Sequence, residues 1–416
     1  MGRKMKIAFV SVRYGLEING GAELHCRMLA ERLAGRHEVE VLTTCVKDYT
    51  KGTNEFPAGT VTINNVTVRR FVADPFVPEN ERYWLDRAKA ARRLRMHLYQ
   101  TGILRAVSYL IKVWKWKLAD DIEAQRSAVF HSHRLLEYIS GHKNEYDAFI
   151  VFSSNFPLFY FTAMEAGEKT LAIPLLHRIK PSFRVSLSQA FNNIRYVGFN
   201  TGSEQRLAEG IFGRGIHESG VIGAGIETHM PAGWEDVSKK YGLPEQYILF
   251  IGRIDRDKTG KMAEYYGAYR KRYGDKALPL VVIGNVYEKE PATGGLIYTG
   301  FVSEGEKRAI LQHARLLLNP SKYESLSLVL LEALYDNIPA LVNGHCSVFR
   351  EHRKKSGGAV QCYMGKKDFI YKLHAVATDA ALRKSMMEKG KEYVDRNYSW
   401  DIIMSRLDNA LMKVIG

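Results

Sequence analysis

Two glutamates frame a predicted strand–turn–helix segment, Leu318–Glu332, which reads LNPSKYESLSLVLLE. The apolar run stops at Pro320, a small polar turn follows, and a helix is predicted from about Leu328. Such a turn directs free backbone N–H groups and the positive end of a helix dipole toward one point, where an anion can bind. Glu324 precedes this point and Glu332 follows it, roughly 12 Å apart if the segment were helical throughout. That separation suits the two ends of a nucleotide sugar, although helix capping and solvation explain such a pair equally well.

A pair of cations follows an earlier predicted strand. The segment Ile248–Lys258 reads ILFIGRIDRDK, so a buried strand ends at Gly252, and Arg253 and Lys258 lie on the loop beyond it. Ligands of open α/β sheets bind just past the carboxyl ends of the strands. Arginine and lysine at this position would neutralise a diphosphate. The alternative is a solvated charged loop, because acidic residues lie between the two cations.

The combination of these segments is more specific than either one. Gly-Arg-x4-Lys at 252–258, LVVIG at 280–284, TGFV at 299–302 and Pro-Ser-x2-Glu-x7-Glu-Ala at 320–333 follow one another. This series resembles the nucleotide-binding half of the family 4 retaining glycosyltransferases, and the resemblance extends over most of the chain. It implies that Arg253 and Lys258 hold the diphosphate of a nucleotide sugar. Glu324 would contact hydroxyls of the donor sugar, and Glu332 the ribose diol.

The turn between the two glutamates departs from the family pattern. The family usually has Gly-Phe-Gly after the first glutamate, where this chain has Ser325-Leu326-Ser327. The backbone amides around Leu326, Ser327 and Leu328 would still face the phosphate if the side chains point away. The resemblance further implies retention at the anomeric carbon, a leaving phosphate that accepts the acceptor's proton, and no required metal or cofactor. The absence of an obvious aspartate pair for a divalent cation agrees with this.

The N-terminal part begins with a predicted strand, glycine loop, helix and strand, which form a Rossmann-like βαβ unit. Gly20 and Gly21 permit close approach of the backbone to a ligand, and they match the family's loop that faces the donor phosphate. The predicted strand Thr170–Leu176 delivers His177 to a loop. The family has a histidine at this strand end, so His177 is the candidate that contacts the donor sugar or orients the acceptor hydroxyl. A lone histidine is more often structural.

The stretch Arg82–Lys117 has ten basic residues against the single acid Asp86, interleaved with tryptophan, tyrosine and aliphatic residues. It predicts basic amphipathic helices with a break near Thr101-Gly102. Such helices suit an anionic membrane surface, but a helix that packs its apolar face on the domain and solvates the other explains the pattern at least as well. The two histidines of His131-Ser132-His133 would not share a face of a predicted helix, so no metal site is expected there.

Composition is that of a folded protein, with 46% hydrophobic and 25% charged residues among 416. The four cysteines are far apart in the sequence, which argues against a disulfide framework and fits a reducing cytoplasm. The apolar run near the first residues is too short for a signal peptide, and no apolar run is long enough to span a membrane. The net charge of +15 favours anionic partners.

The resemblance implies an α/β protein of GT-B type, with two Rossmann-like, doubly wound domains facing across a cleft. Residues 1–228 would form the acceptor-binding domain, with the basic aromatic helical insertion at about 82–140. Residues 229–396 would form the nucleotide-sugar-binding domain, and the helix at 397–416 would return to the first domain. Trp400 would anchor that return.

The predicted reaction transfers a sugar from a nucleoside diphosphate sugar, UDP-linked by frequency and GDP-linked as the alternative, to a hydroxyl of a glycan or lipid-linked saccharide. Cell-surface polysaccharide synthesis in the cytoplasm, with peripheral contact to the inner membrane face through Arg82–Lys117, is the expected setting. A sugar-nucleotide epimerase or a glycogen-synthase-like polymerase of the same fold is one alternative. A basic nucleic-acid-binding protein is another, although no nucleic-acid-binding motif is present.

Overall fold

The computed structural model describes residues 4–18, 20–48, 52–288 and 293–416, and it divides into two compact units. Unit 1 comprises Met1–Gly223 and Met404–Gly416, and unit 2 comprises Ala224–Ile403. Each unit is an α/β structure around its own sheet, so the predicted pair of doubly wound domains is confirmed. No helix among the described residues is long and apolar enough to cross a membrane.

Unit 1 is built on an eight-stranded sheet in the order β3-β4-β2-β1-β5-β6-β7-β8. Its neighbouring strands are parallel except for β3 and β4, which form an antiparallel hairpin with its turn at Asn64-Asn65. The strands are β1 (Lys6–Val10), β2 (Glu38–Thr44), β3 (Gly59–Ile63), β4 (Val66–Phe71), β5 (Ala148–Phe152), β6 (Thr170–Ile173), β7 (Tyr196–Phe199) and β8 (Ser219–Val221). The helices are α1 (Gly21–Ala34), α2 (Pro78–Arg87), α3 (Lys89–Gln100), α4 (Leu104–Leu110), α5 (Leu118–Arg126), α6 (His133–His142), α7 (Pro157–Ala166), α8 (Val185–Asn193) and α9 (Gly202–Phe212).

The basic stretch is helical as predicted up to Leu110, with the break at Thr101-Gly102 between α3 and α4, but residues 111–117 are not helical. Its cations are not uniformly solvated, however. Arg95 is completely buried, where its guanidinium donates to the carbonyl oxygens of Arg184 and Ile211 and lies over the rings of Trp114 and Phe212. Helix α3 therefore uses one of its cations to dock on the domain, which corrects the expectation that all of them lie on a solvated face.

Unit 2 has a six-stranded, fully parallel sheet in the order β11-β10-β9-β12-β13-β14. The strands are β9 (Ile248–Ile251), β10 (Leu280–Ile283), β11 (Leu296–Gly300), β12 (Leu316–Asn319), β13 (Ala340–Asn343) and β14 (Val360–Tyr363). The helices are α10 (Trp234–Tyr241), α11 (Met262–Tyr273), α12 (Glu304–Gln312), α13 (Leu328–Tyr335), α14 (Ser347–Lys355), α15 (Lys366–Thr378) and α16 (Ala380–Tyr398). Helix α17 (Trp400–Ile415) follows.

The central strands of both sheets are short runs of aliphatic and aromatic residues that are buried on both faces, as helices on each side of a parallel sheet require. All carboxyl ends of parallel strands meet at one edge. In unit 2, β9 and β12 are neighbours, so the loops that follow them lie side by side. In unit 1, only β5 separates β1 from β6, so the loops after these two strands share an edge roughly 10 Å apart.

The last helix begins in unit 2 and ends in unit 1. Trp400 packs against Gly225, where no side chain would fit, and its indole N–H donates to the carbonyl oxygen of Ile226 at 3.0 Å. Farther along, Asp408 accepts two hydrogen bonds from Arg36, at 2.9 and 3.0 Å, within unit 1. The predicted return of the C-terminal helix to the first domain is confirmed.

Candidate active site

Lys258 and Glu324 come together at the carboxyl edge of the unit 2 sheet. The Lys258 ammonium donates to Oε1 of Glu324 at 2.7 Å, which links the loop after β9 to the loop after β12. Both side chains are largely buried. A charge-assisted bond of this kind holds an ammonium and a carboxylate in fixed positions beside each other.

The loop that carries the two predicted cations is organised by Asp255. Its carboxylate accepts from the backbone N–H of Lys258 at 2.9 Å and lies 3.5 Å from the Arg253 guanidinium. The strand ends themselves are in close contact, because a Cβ on Gly284 would collide with the carbonyl oxygen of Gly252. Gly284 is therefore required for packing, whereas a Cβ on Gly252 would lie 3.3 Å from the Phe250 ring. Arg253 is half exposed and reaches the same edge of the sheet.

The turn after Glu324 has the geometry expected for anion binding. Helix α13 begins at Leu328 as predicted, and Ser327 before it has a left-handed backbone with φ of 73°. A residue with a side chain is strained in this conformation, which favours glycine. The Ser327 hydroxyl accepts from the Asn319 side chain at 3.2 Å, which turns it toward the strand. Among the described residues, the backbone N–H groups of Ser327, Leu328 and Val329 meet no acceptor.

A buried histidine supports this turn from behind. His352 on α14 lies 2.8 Å from the carbonyl oxygen of Leu326 through Nε2 and 2.8 Å from the Tyr393 hydroxyl through Nδ1. Since a carbonyl only accepts, Nε2 carries the proton and Nδ1 accepts from the tyrosine. Burial lowers the pKa of His352 to about 4, so the ring is neutral at physiological pH. The histidine fixes the carbonyl side of the turn and leaves its N–H side open.

Glu332, the predicted ribose contact, lies in a small cavity lined by α12, α13 and residues 226–229. Its carboxylate is 3.2 Å from the ammonium of Lys307, which also bonds Glu304 at 2.6 Å. Burial opposes the charge on Lys307, but Glu332 and Glu304 outweigh burial and raise the pKa of Lys307. The lysine orients Glu332 within a site of mixed charge, to which Asp336 and Arg308 contribute a further pair at 3.0 Å.

His177 follows β6 in unit 1, as predicted, on a loop with an unusual backbone. Leu175 is left-handed with φ of 50°, and the His177 carbonyl accepts from the N–H of Ile179 at 2.8 Å and from the Ser182 hydroxyl. Buried Glu204 on α9 accepts from the N–H of Leu176 at 2.6 Å and from that of Asn200 at 2.7 Å. Glu204 therefore ties the His177 loop to the end of β7.

Burial raises the pKa of Glu204 to about 8, although the hydrogen bonds from the two backbone N–H groups act to lower it. The side chain sits at the third residue of α9, where its carboxylate also faces the positive end of the helix. A group of this kind titrates near physiological pH while it holds a loop in place.

Gly20 is the residue before α1 and has an extended backbone. A Cβ on Gly20 would collide with the carboxylate of Glu23, which Arg13 holds at 2.5 Å in a buried ion pair. Gly21 has open space around its missing Cβ. Gly20 is therefore needed for packing of the helix start, and a role for Gly20 and Gly21 in donor binding stays a prediction.

The expectation that the two histidines of His131-Ser132-His133 lie on one helix was wrong. Only His133 is helical, because Ser132 caps α6 with its hydroxyl. Nδ1 of His131 and of His133 contact the two oxygens of Asp74 at 2.7 and 2.5 Å. Within the described ranges, no group of three or more histidine, cysteine or acidic residues is arranged to hold a metal ion.

Sequence reasoning missed Lys307, His352 and Glu204. Ser303-x2-Glu306 is a capping box that marks the start of α12 and so would have placed Lys307 in its first two turns. Thr201-x2-Glu204 has the same pattern, but the structure turns Glu204 inward to Leu176 and Asn200. His352 has no local signal, because its partners are 26 and 41 residues away.

Comparisons with known proteins bear on the family and the fold. Residues 235–393 match the family model of glycosyl transferases group 1. No curated protein sequence matches significantly. Several solved structures match over nearly their whole length, which at these identities establishes the fold.

Three of these structures illustrate the likeness. The sucrose-phosphate synthase from Thermosynechococcus elongatus has a TM-score of 0.65 at 15% identity, with 98% of this chain and 99% of that chain covered. A trehalose-6-phosphate protein from E. coli, bound with UDP-2-fluoro glucose, has a TM-score of 0.63 at 13% identity and coverages of 98% and 99%. WaaG, a glycosyltransferase involved in lipopolysaccharide biosynthesis, has a TM-score of 0.62 at 12% identity and coverages of 97% and 99%.

Proposed function

We propose that this chain, a glycosyltransferase by its group 1 domain and a GT-B protein by its fold, is a retaining enzyme that uses a nucleoside diphosphate sugar. UDP is the first expectation for the nucleotide and GDP the second. The acceptor is a hydroxyl of a glycan or lipid-linked saccharide, and the setting is cell-surface polysaccharide synthesis at the cytoplasmic side of a membrane. The observation that carries the proposal is the Lys258–Glu324 pair beside the open N–H groups of Ser327–Val329.

Lys258 and Glu324 act on different parts of the nucleotide sugar, the diphosphate and the sugar. As the glycosidic bond to phosphate breaks, the diphosphate gains negative charge and the sugar becomes cation-like. Lys258, Arg253 and the N–H groups at the start of α13 stabilise the diphosphate. Glu324 offers its second oxygen to a sugar hydroxyl while Lys258 holds the first, so it contributes chiefly by positioning.

Glu332 is the proposed ribose contact, oriented by Lys307. Its two oxygens match the vicinal diol of a ribose, and the ammonium of Lys307 holds the carboxylate in place. The proton of the acceptor hydroxyl passes to the leaving phosphate on the same face of the sugar, so the reaction needs no side chain as base. His177 hydrogen-bonds the donor sugar or orients the acceptor hydroxyl. No metal is required in this proposal.

Thermal stabilisation by UDP, GDP, ADP and TDP, with and without magnesium, tests the donor site. A nucleotide at about a hundred times its dissociation constant should add about 2.7 kcal/mol to the stability of the wild type. Glu332→Ala should lose most of this effect. Glu304→Ala is the matched control, because it also removes one carboxylate from Lys307 but not the proposed ribose contact.

Three results would contradict the proposal. The donor site is misplaced if no nucleotide stabilises the wild type, or if Glu332→Ala and Glu304→Ala respond alike. Magnesium-dependent stabilisation would contradict the metal-independent reaction. With the donor identified, nuclear magnetic resonance of the product gives the anomeric configuration, and release of a free altered sugar nucleotide without acceptor would favour an epimerase.

A further inference from the structure

The basic stretch of unit 1 divides into two parts with different surroundings. In α3, Ala91 and Arg95 are fully buried and Arg92 is partly buried, so this helix is docked on the domain. Beyond the break, α4 and the residues that follow it, 103–116, keep large apolar side chains in solvent. Composition is similar in the two parts, so only the structure separates them.

The segment 103–116 is anchored firmly on one side. Leu104 is buried, and the Ser108 hydroxyl donates to the carbonyl oxygen of Ile211 at 2.9 Å. Trp114 is buried, and its backbone N–H donates to the Ser188 hydroxyl at 3.1 Å. A Cβ on Gly213 would lie 2.9 Å from the backbone of Ser108, so α4 approaches the end of α9 as closely as the backbone permits. The exposed side of the segment is thus held on a rigid support.

That exposed side is strongly apolar. Its members are Ile103, Tyr109, Leu110, Ile111 and Trp116, with 50%, 42%, 87%, 46% and 51% of their surfaces in solvent. Five large apolar side chains within fourteen residues are a patch of the kind that monomers seldom leave uncovered. Tryptophan and tyrosine in such a patch favour a boundary between water and hydrocarbon.

The charged residues within the segment are all basic. Arg105, Lys112 and Lys115 are exposed within the segment, which contains no acidic residue, and Arg214 lies 5.4 Å from the ring centre of Tyr109. Cations around an apolar face attract anionic lipid headgroups while the apolar side chains enter the headgroup–acyl boundary. A second copy of the chain would bring the same cations against each other at a two-fold contact.

We infer that the surface formed by residues 103–116, and not the whole basic stretch, docks peripherally on an anionic lipid membrane. Leu110, Ile111 and Trp116 enter the lipid boundary, and Arg105, Lys112 and Lys115 contact the headgroup phosphates. The inference rests on the proposed function only for its purpose, which is to bring the enzyme to a lipid-linked acceptor. Membrane binding itself is measured without substrate.

Flotation of the full chain with phosphatidylcholine vesicles, with and without phosphatidylglycerol, tests the surface. The wild type should float only with the anionic vesicles. Leu110→Glu should lower the partition coefficient about tenfold or more, because a large apolar side chain is lost from the boundary. Lys112→Glu with Lys115→Glu should lower it about thirtyfold or more, since each cation near the surface contributes about fivefold.

The matched control is Arg82→Glu with Arg93→Glu, two exposed cations of α2 and α3 with the same change in net charge. It should bind vesicles within about threefold of the wild type, because charges off the contact surface are screened by salt. An equal loss in the control would overturn the inference in favour of a general charge effect. So would unchanged flotation of Leu110→Glu.

Two other partners give different results. If sedimentation shows a wild-type dimer that Leu110→Glu dissociates, the patch is a contact between copies. If the wild type binds an oligonucleotide and only the lysine variants lose it, the cations serve nucleic acid. All variants should keep the nucleotide-induced thermal stabilisation of the wild type, so a failure of the membrane surface is distinguishable from a failure of the donor site.

Discussion

The loop after β12 in unit 2 and the loop after β6 in unit 1 are built alike but held by opposite chemistry. Each contains a left-handed residue other than glycine, Ser327 in one and Leu175 in the other. Each is fixed by one fully buried titratable side chain from a following helix. In unit 2, His352 donates to a loop carbonyl, whereas in unit 1, Glu204 accepts from a loop N–H.

The difference determines what each loop can offer a ligand. In unit 2, His352 donates a hydrogen bond to the Leu326 carbonyl and leaves the N–H groups of Ser327–Val329 without an acceptor among the described residues. Such N–H groups suit an anion. In unit 1, the Glu204 carboxylate accepts the hydrogen bond of the Leu176 N–H, so this N–H is not available to a ligand. The group that this loop can offer is the His177 side chain. In the proposed function, the polarity of the supporting side chain, more than the loop sequence, distinguishes the loop proposed to bind the diphosphate from the loop that carries His177.

The largest effect is expected from Lys258→Met. It removes the cation of the anion-binding loop without a large change of shape, so kcat for transfer should fall about 10²–10³-fold. Lys261→Met, an exposed lysine of the same loop, should leave kcat nearly unchanged. Steady-state kinetics with the identified donor measure both. Equal rates for the two variants would mean that the unit 2 loop does not carry the charge of the leaving group.

His352→Leu removes the support of the unit 2 loop. The Leu326 carbonyl and the Tyr393 hydroxyl each lose a buried partner, so the free energy of unfolding should fall by about 2–3 kcal/mol. Nucleotide affinity should also fall, because the turn is no longer fixed. His345→Leu, at an exposed position before the same helix, is the control. Urea titration and nucleotide binding are the measurements, and normal affinity in a destabilised protein would restrict His352 to a structural role.

Glu204→Gln tests the support of the unit 1 loop through its pH dependence. The folded-state pKa of Glu204 is raised to about 8 by burial, so the folded protein binds more protons than the unfolded chain between about pH 4.5 and 8. Its contribution to stability therefore decreases as pH rises through this window, by up to about 1.4 kcal/mol per pH unit. The glutamine variant should lack this slope.

Thermal unfolding of both proteins across pH 5–8 measures the difference, with Glu209→Gln on the same helix as control. If the slope of Glu204→Gln equals that of the wild type, Glu204 is not the group that titrates. Activity adds a second readout, because a loosened His177 loop should lower kcat more than it raises the KM of the donor.

The fold, and the meeting of the loops that carry Lys258 and Glu324 at one edge of the unit 2 sheet, were predictable from the sequence because their determinants are local. The aliphatic runs mark β9 and β12, and the start of α13 at Leu328 follows from the polar turn before it. The supports of the loops were not predictable. His352 and Glu204 act on residues 26 and 28 positions away, and a buried histidine or glutamate has no pattern that distinguishes it from a surface one.

The basic stretch shows the same limit in another form. Arg95 and Arg105 occur in similar sequence surroundings, yet one is buried and the other exposed. Periodicity gives the face of a helix but not which helix lies against the domain. That depends on Gly210 and Gly213, more than a hundred residues later in the chain, which allow close packing of Tyr99 and Ser108.

Unit 1 consists of two separate segments of the chain, which has a consequence for folding during synthesis. Met404–Gly416 completes unit 1, but all of unit 2 lies between it and Gly223 in the sequence. On the ribosome, which synthesises from the N-terminus, most of unit 2 is available to fold before the last piece of unit 1 emerges. Residues 1–223 must wait while unit 2 assembles, because Asp408 and Arg406, which bond Arg36 and the Ile222 carbonyl in the folded protein, are not yet synthesised. Chaperone dependence during synthesis should therefore concentrate on unit 1.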